Sequence, residues 1–290
     1  MTKPHIPIIE IMVTDACNFV CDGCTNYSNY KVSGLADWDK VKSQLVAWGE
    51  RVTFDTVSFI GGEPLLHPGI REFITGTRKI FPHCFIQLTS NAYLLEKNFD
   101  ILDVMDSVNG ALLKVSAHKP NDQWFINIRD QIKNHFKWTH IPDSNWQQNE
   151  NYMYLEYQYD ENFYQTYKGT LATMKPYDND PAQAFKEMCC QKLCPMMKDG
   201  KLFKCSSIAE LRRVLTDWNH LDEPEWQKYL EYNGLDISCT DEDLLEWTDN
   251  YGKYDWHCGM CPIADDHPEV PHIGHVEFKK DKKIIPIISR

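Results

Sequence analysis

Eleven cysteines stand in this chain of 290 residues, and most of them fall into two groups. Cys17-Asn-Phe-Val-Cys21-Asp-Gly-Cys24 sets three thiols at C-x3-C-x2-C spacing near the start. Thiolates crowded this way are metal ligands, and three of them suit a [4Fe–4S] cube with one iron left open to a small molecule. Zinc is the competing reading, but a structural zinc prefers four closed ligands, and no obvious fourth lies nearby. The second group is Cys189, Cys190, Cys194, Cys205, Cys258 and Cys261. Cys190, Gly200 and Cys205 read C-x9-G-x4-C, and Cys258-Gly-Met-Cys261 follows after a long gap. Four thiolates close a [4Fe–4S] site, although C-x2-C with distant cysteines is also a zinc-ribbon pattern. Cys189, Cys190 and Cys194 compete for one or two places. The reading adopted takes Cys190, Cys205, Cys258 and Cys261, with Cys194 as the alternate. His257 and His267 flank the last pair as substitute ligands. Cys84 reads as a small buried hydrophobe, and Cys239 has no sequence partner.

An odd number of cysteines is awkward for complete disulfide pairing, and clustered thiols in a reducing compartment hold metal more often than disulfides. Residues 1–10 carry no apolar segment, so no signal peptide is expected; the oxygen lability of iron–sulfur clusters implies a reducing, cytoplasmic setting. No run approaches the roughly 20 apolar residues of a membrane span. Lysine and arginine number 30 against 42 aspartates and glutamates, a net charge of −12. That balance argues against nucleic acid or an anionic membrane as the main partner. With 42% hydrophobic and 25% charged residues the composition is globular, enough for one large domain or a large one with a small appendage. The charged run Lys279 to Lys283 reads as a solvated tail.

The thiols need a scaffold, and the apolar pattern supplies one. Strands are expected at Ile6 to Thr14, Thr56 to Ile60, Cys84 to Asn91, Ala111 to His118, near Trp138 to Ile141 and at Asn151 to Tyr159. Helical spacing fills the gaps between them. Trp38, Val41, Leu45 and Trp48 recur after the N-cap Asp37, and Trp124, Ile128, Ile132 and Phe136 form an i, i+4 stripe. Strands alternating with helices imply right-handed crossovers and a parallel sheet, here a partial (β/α)6 TIM-like barrel of the α/β class. The first thiol group then follows the first strand, at the functional end of such a barrel. Alternation along the strands puts Glu10, Lys114, Ser116, His118, Glu156 and Gln158 on a polar face that lines the lumen. Lys201-Leu202-Phe203-Lys204 reads as a short hairpin strand.

The three-cysteine spacing resembles that of the radical S-adenosylmethionine (SAM) superfamily, and companion segments appear in order over roughly residues 6–160. Gly61-Gly62-Glu63-Pro64 after the second strand resembles the GGEP segment, which in that family contacts the methionine amino group of SAM; glycine permits such close approach. Thr89-Ser90-Asn91 resembles a common ending of the third strand. Ser116 matches a position that meets the SAM ribose, with His118 beside it. One departure is Gly23, where the family carries an aromatic residue near adenine; Phe19 or Tyr27 are the candidates to replace it. The second cysteine group is similar to the auxiliary-cluster domain of SPASM and Twitch enzymes, the shorter Twitch form fitting better.

The resemblance implies a [4Fe–4S] cluster on Cys17, Cys21 and Cys24, bound SAM, and a second, auxiliary [4Fe–4S] cluster. It implies reductive cleavage of SAM to a 5′-deoxyadenosyl radical and abstraction of a substrate hydrogen, for an oxidative modification of a peptide or small molecule. A flavodoxin- or ferredoxin-like electron donor is then the expected partner. The division expected is a barrel domain at 1–180 and a cysteine-rich auxiliary domain at 181–290. The competing functions are a glycyl-radical activating enzyme and, in another class, a zinc-binding interaction protein. A redox-neutral epimerisation would need a hydrogen donor, and Cys194, if unligated, is the thiol to supply it.

Overall fold

The computed structural model describes residues 3–159, 164–266 and the backbone of 277–278. His267 and the Lys279 to Lys283 run lie outside the described residues. The strands are β1 His5–Met12, β2 Phe19–Val20, β3 Thr53–Ile60, β4 Phe85–Ser90, β5 Ala111–Ser116, β6 Thr139–His140, β7 Trp146–Gln148, β8 Tyr154–Gln158, β9 Met196–Lys198, β10 Lys201–Phe203 and β11 Glu277–Phe278. The α-helices are α1 Trp38–Arg51, α2 Ile70–Ile80, α3 Ile101–Ser107, α4 Gln123–His135, α5 Pro181–Met188, α6 Ser206–Asp217, α7 Pro224–Leu230 and α8 Asp241–Asn250. Nine strands form one mixed sheet in the order β10-β9-β1-β3-β4-β5-β8-β7-β6.

β1, β3, β4, β5 and β8 run parallel, with Glu10 opposite Ser58, Ser58 opposite Gln87, Thr89 opposite Lys114 and Ser116 opposite Gln158. The alternation reads through: Ile9, Ile11, Val13, Leu113, Val115, Met153 and Leu155 enter the main core, while the polar residues between them face the other way. Helix α1 begins where its sequence says it should, with the Asp37 carboxylate accepting from Lys40 N at 2.9 Å. Its Val41, Leu45 and Trp48 face the sheet.

The fold class is the expected α/β, partial TIM-like architecture, but two strands differ from the sequence reading. The segment near Trp138 to Ile141 supplies only β6, which with β7 forms an antiparallel hairpin on the outer flank of β8. The sixth parallel strand is instead β9, which pairs with β1 through Glu10–Met196 and Ile11–Met197. It reverses into β10 over Asp199-Gly200, both with positive φ (49° and 81°). Asp-Gly is the natural sequence for such a tight hairpin turn. The turn is pinned by Trp48, whose indole donates to Gly200 O at 2.8 Å. A boundary near residue 180 therefore divides the sequence but not the sheet. A second core of Tyr27, Tyr167, Met174, Ile208, Leu211, Val214, Leu215, Trp226, Tyr229 and Met260 packs around α6 and α7. Among the described residues no helix is long and apolar enough to cross a membrane.

Candidate functional site

A cavity of about 570 Å³ opens at the C-terminal ends of the parallel strands and runs down into the lumen, where such sheets place their sites. Cys17, Cys21 and Cys24 all line it. The loop that carries them leaves β1 and is shaped by its own sulfur and backbone bonds. Phe19 N donates to Cys17 Sγ at 3.3 Å, Ser28 N to Cys24 Sγ at 3.3 Å, and Cys24 N to Cys21 O at 3.3 Å. Amides donating to sulfur favour the thiolate form that a cluster requires.

Gly61 and Gly62 line the cavity beside this loop. The sequence argument gave them close approach to a ligand, but the structure shows a nearer constraint. A Cβ on Gly61 would stand 2.6 Å from Thr14 O, and one on Gly62 would stand 2.2 Å from Ala16 O. The glycines let the loop after β3 lie against the backbone that leads into Cys17. Glu63 and Pro64, expected to bind cofactor, do not line the cavity. Glu63 turns inward with no exposed surface. Its Oε1 accepts from Leu65 N at 3.0 Å and Ser90 Oγ at 2.7 Å, and its Oε2 from Asn91 N at 2.8 Å. Burial nonetheless outweighs these bonds and lifts its pKa to about 7. Glu63 thus ties the β3 and β4 ends together, and Asn91 passes the tie on, its Nδ2 donating to Asn18 Oδ1 at 2.9 Å.

Of the remaining sequence candidates, Asn91, Ser116, His118, Glu10, Lys114 and Gln158 line the cavity. Glu156 shares a strand face with Gln158 but does not reach it. Of the two aromatic candidates, Phe19 lines the cavity and meets Tyr93, His118 and Trp124 at ring-centroid distances of 5.8, 6.0 and 6.1 Å. Tyr27 is buried in the second core, its hydroxyl 2.9 Å from Thr166 Oγ1, so it is withdrawn as an adenine contact. Glu10 faces Lys114 electrostatically, yet neither charged group has a hydrogen bond or ion pair with a described residue. Desolvation raises Glu10 to about 7, with Lys114 opposing.

The later cysteines lie near one another, with Cys189, Cys190 and Cys194 all lining the cavity. Cys189, Cys205, Cys258 and Cys261 gather, every pair among them close enough for their charges to interact. Cys189, one of the three thiols that compete by spacing, interacts with each of Cys205, Cys258 and Cys261. It caps the end of α5 in extended conformation, and adjacent residues on an extended chain point to opposite sides. Cys189 and Cys190 thus differ in direction although both line the cavity, and Cys261 interacts with both. Cys205 precedes α6, and Cys258 and Cys261 bracket a 3₁₀ turn at Trp256–Met260. That turn is held by Asn179 N to Gly259 O at 2.9 Å, Asn179 Nδ2 to Cys261 O at 3.1 Å, and an ion pair of Lys204 with Asp255 at 3.1 Å. Burial pushes the thiols up, Cys258 to about 11 and Cys205 and Cys261 further. Four half-buried thiols that repel one another as anions are a donor set suited to a cationic centre. Among the described residues no three Cys, His, Asp or Glu side chains gather tightly enough for a single metal ion; a sulfide-bridged cube spaces its thiols more widely. Cys194 lies in the cavity with Cys190, beside Glu10 and Lys114, its thiol pushed far up by burial. His257, 2% exposed, faces Asp255 rather than the thiols.

Sequence reasoning passed over the brace behind the first loop. Gln191 Nε2 donates to Thr25 Oγ1 at 2.9 Å, Ser206 and Ser207 hydroxyls to Thr25 O at 3.3 Å, and Arg213 Nη2 to Asn26 O at 2.8 Å. Arg213 also pairs with Glu210 at 2.7 Å, a carboxylate with no exposed surface that Lys198 meets at 2.8 Å. The arginine and acid i, i+3 on α6 was the available signal, though nothing in sequence connects it to residue 26.

Residues 11–140 match the radical SAM superfamily profile. GTP 3′,8-cyclase of Chlorobaculum tepidum is 30% identical over 119 residues, which are 39% of this chain and 35% of that protein. The chain thus spans about a third of the length of this relative. Among solved structures, BtrN in complex with AdoMet and 2-DOIA is 18% identical, with a TM-score of 0.50 over 96% of this chain and 100% of that one. An open form of BtrN is 15% identical with a TM-score of 0.36, over 81% and 92%. Residues 11–140 thus carry a radical SAM domain, a domain of enzymes, and such a domain implies a [4Fe–4S] cluster and SAM.

Proposed function

We propose that this chain cleaves SAM reductively to a 5′-deoxyadenosyl radical and abstracts a hydrogen from a peptide or small molecule held in the lumen, for an oxidative modification. The observation that carries the reading is the placement of Cys17, Cys21 and Cys24 on one cavity with Gly61, Gly62, Asn91, Ser116 and the polar lumen wall. Those three thiols hold the cluster that binds SAM, which supplies the radical. Cys189, Cys205, Cys258 and Cys261 hold a second [4Fe–4S] cluster in a Twitch-like arrangement, a one-electron acceptor for the substrate radical. Phe19 and the aromatic group around it shield one wall, Glu10 and Lys114 orient substrate, and the depth of the lumen excludes water. A flavodoxin- or ferredoxin-like donor supplies electrons. The complex of BtrN with 2-DOIA supports a small molecule of that kind as first candidate.

A second outcome, redox-neutral hydrogen exchange, is favoured by the place of Cys194 in the cavity beside Glu10 and Lys114. The test of the main reading is iron, sulfide and zinc on anaerobically reconstituted protein, with 5′-deoxyadenosine measured after reduction with SAM present. About eight irons, falling to about four in a Cys17/Cys21/Cys24→Ala variant that makes no 5′-deoxyadenosine, is the expected result. Zinc at both sites and no SAM cleavage would refute it.

A further inference from the structure

The polar groups inside the lumen have a hydrogen-bonding capacity that can be counted. Gln87, on β4, lines the cavity and is 7% exposed. Its Nε2 donates to Ser58 Oγ at 2.9 Å and to Thr89 Oγ1 at 3.1 Å. An amide nitrogen carries two hydrogens, and both are used here. What Gln87 still offers the cavity is its carbonyl oxygen Oε1, which has no hydrogen bond to a described residue. Ser58, which has no exposed surface, stands in register with Glu10 on one side and Gln87 on the other. Glu10 and Gln87 are thus one strand removed from each other, roughly 10 Å apart at the backbone, and their long side chains rise from the same face of the sheet over the small Ser58. The Glu10 carboxylate has no donor either, and burial without one lifts its pKa to about 7. Lys114 stands opposite Thr89 in register and is near enough for its charge to act on Glu10, yet the two form no ion pair.

Two acceptors, one of them anionic, therefore face one space and lack a donor. Buried acceptors left this way cost free energy, so a ligand must bring the donors. A hydroxyl brings one hydrogen and no charge. An ammonium brings three hydrogens and the charge that a carboxylate requires. We infer that Gln87 is a specificity-determining residue that, with Glu10, receives the protonated amine of a small polyhydroxylated substrate. The inference rests on the radical SAM reading and names the substrate class of that same cavity. Lys114, which has only donors, takes an oxygen of the same molecule, and Ser116 and Gln158 nearer the rim suit its further hydroxyls. Size points the same way: about 570 Å³ must hold SAM as well as substrate, which favours a small molecule over a peptide.

Equilibrium binding tests this without turnover. Anaerobically reconstituted holoprotein with SAM is titrated in a calorimeter with glucosamine, galactosamine and an amino-inositol, each beside its N-acetyl form and the corresponding sugar or inositol without nitrogen. At least one amine should bind about tenfold or more tightly than both of its neutral counterparts. Glu10→Gln and Gln87→Met should cut that preference about fivefold or more, with iron content equal to wild type as the check on folding. Gln87→Glu keeps an oxygen towards the cavity and should restore the preference that Gln87→Met loses, which a packing role alone would not do. Equal binding of amines and neutral forms, absence of binding by the whole panel, or an unchanged preference in Gln87→Met would overturn the inference and leave the radical SAM reading standing. The wild-type panel decides the amine class even where a variant loses iron. Wild-type protein that takes up no iron and binds no SAM would remove both.

Discussion

Glu63 offers a direct contest between burial and hydrogen bonding. Its carboxylate has three donors within 3.0 Å, Leu65 N, Ser90 Oγ and Asn91 N, and no exposed surface. The donors favour the charged form and burial disfavours it; burial prevails and the pKa rises from 4.5 to about 7. A carboxyl that holds its proton more tightly in the fold contributes stability that is fully present below pH 4.5 and is lost as pH climbs towards 7. The loss amounts to about 3 kcal/mol relative to a side chain that does not titrate. Glu63→Gln is such a side chain, of nearly the same shape. Urea unfolding of wild type and Glu63→Gln at pH 5 and pH 8 should show their stability difference moving by about 2.5 kcal/mol in favour of the glutamine protein at the higher pH. Glu10, also raised to about 7, is present in both proteins and cancels. Movement in the opposite direction would mean that the three bonds outweigh burial and that Glu63 is a charged anchor. Glu63→Ala separates position from charge, since it strands two amides and a hydroxyl and should cost roughly 3–6 kcal/mol at either pH.

Gly62→Ala should lose the iron of the N-terminal site, about half the total, because a Cβ placed 2.2 Å from Ala16 O forces the Cys17 loop aside; iron analysis against wild type checks it. Cys189→Ala should lose about four irons while Cys190→Ala keeps all of them, and the reverse result would restore the assignment drawn from spacing. Arg213→Met removes one of the two cations on buried Glu210 and the bond to Asn26 O. It should lower stability by about 3 kcal/mol, read by calorimetry, and loosen SAM binding. His67 accepts from Gly69 N through Nδ1 at 3.0 Å, and its Nε2 lies 2.9 Å from Ala36 O, with its pKa lowered by burial. Protonation in the fold breaks the Nδ1 bond, so His67→Gln should be less sensitive than wild type to acid below about pH 6.5 in thermal melts.

The sequence was most legible where a short-range signal and the burial pattern agree. Helix α1 declares itself through Asp37 and the Val41, Leu45, Trp48 face, and the lumen wall through the alternation at the C-terminal ends of β1 and β5 and along β8. Strand β9 was invisible because Met-Met-Lys has no alternation to read and its partner β1 lies far back in the chain. The segment at Trp138 to Ile141 had strand-like residues, but a hairpin with β7 satisfies it without barrel pairing. Spacing located the cysteine groups but could not choose between Cys189 and Cys190, since one step along an extended chain reverses the side chain. The inward turn of the Glu63 side chain was illegible for a similar reason. Its motif fixes its position in sequence, whereas its orientation is set by donors at residues 65, 90 and 91.

The two cysteine regions are mechanically one assembly. The loop that ends at Cys24 is fastened at Thr25 and Asn26 by Gln191, Ser206, Ser207 and Arg213, all from the later part of the chain. Those same stretches carry Cys189, Cys190 and Cys205. Gln191 Nε2 reaches Thr25 Oγ1 and Ser206 Oγ together, the latter at 2.5 Å, so it bridges the segment after Cys190 to the helix after Cys205 and to the first loop at once. Ordering the four-thiol group therefore orders the back of the Cys17–Cys24 loop, since each fixes the residues that the other leans on. Strand β9 adds the third member, holding Cys194 against Glu10 through Pro195. A barrel that stopped at β8 would present the first three cysteines on a loop without this backing. The later segment does more than append a second site: it closes one wall of the cavity and sets which thiols face inward.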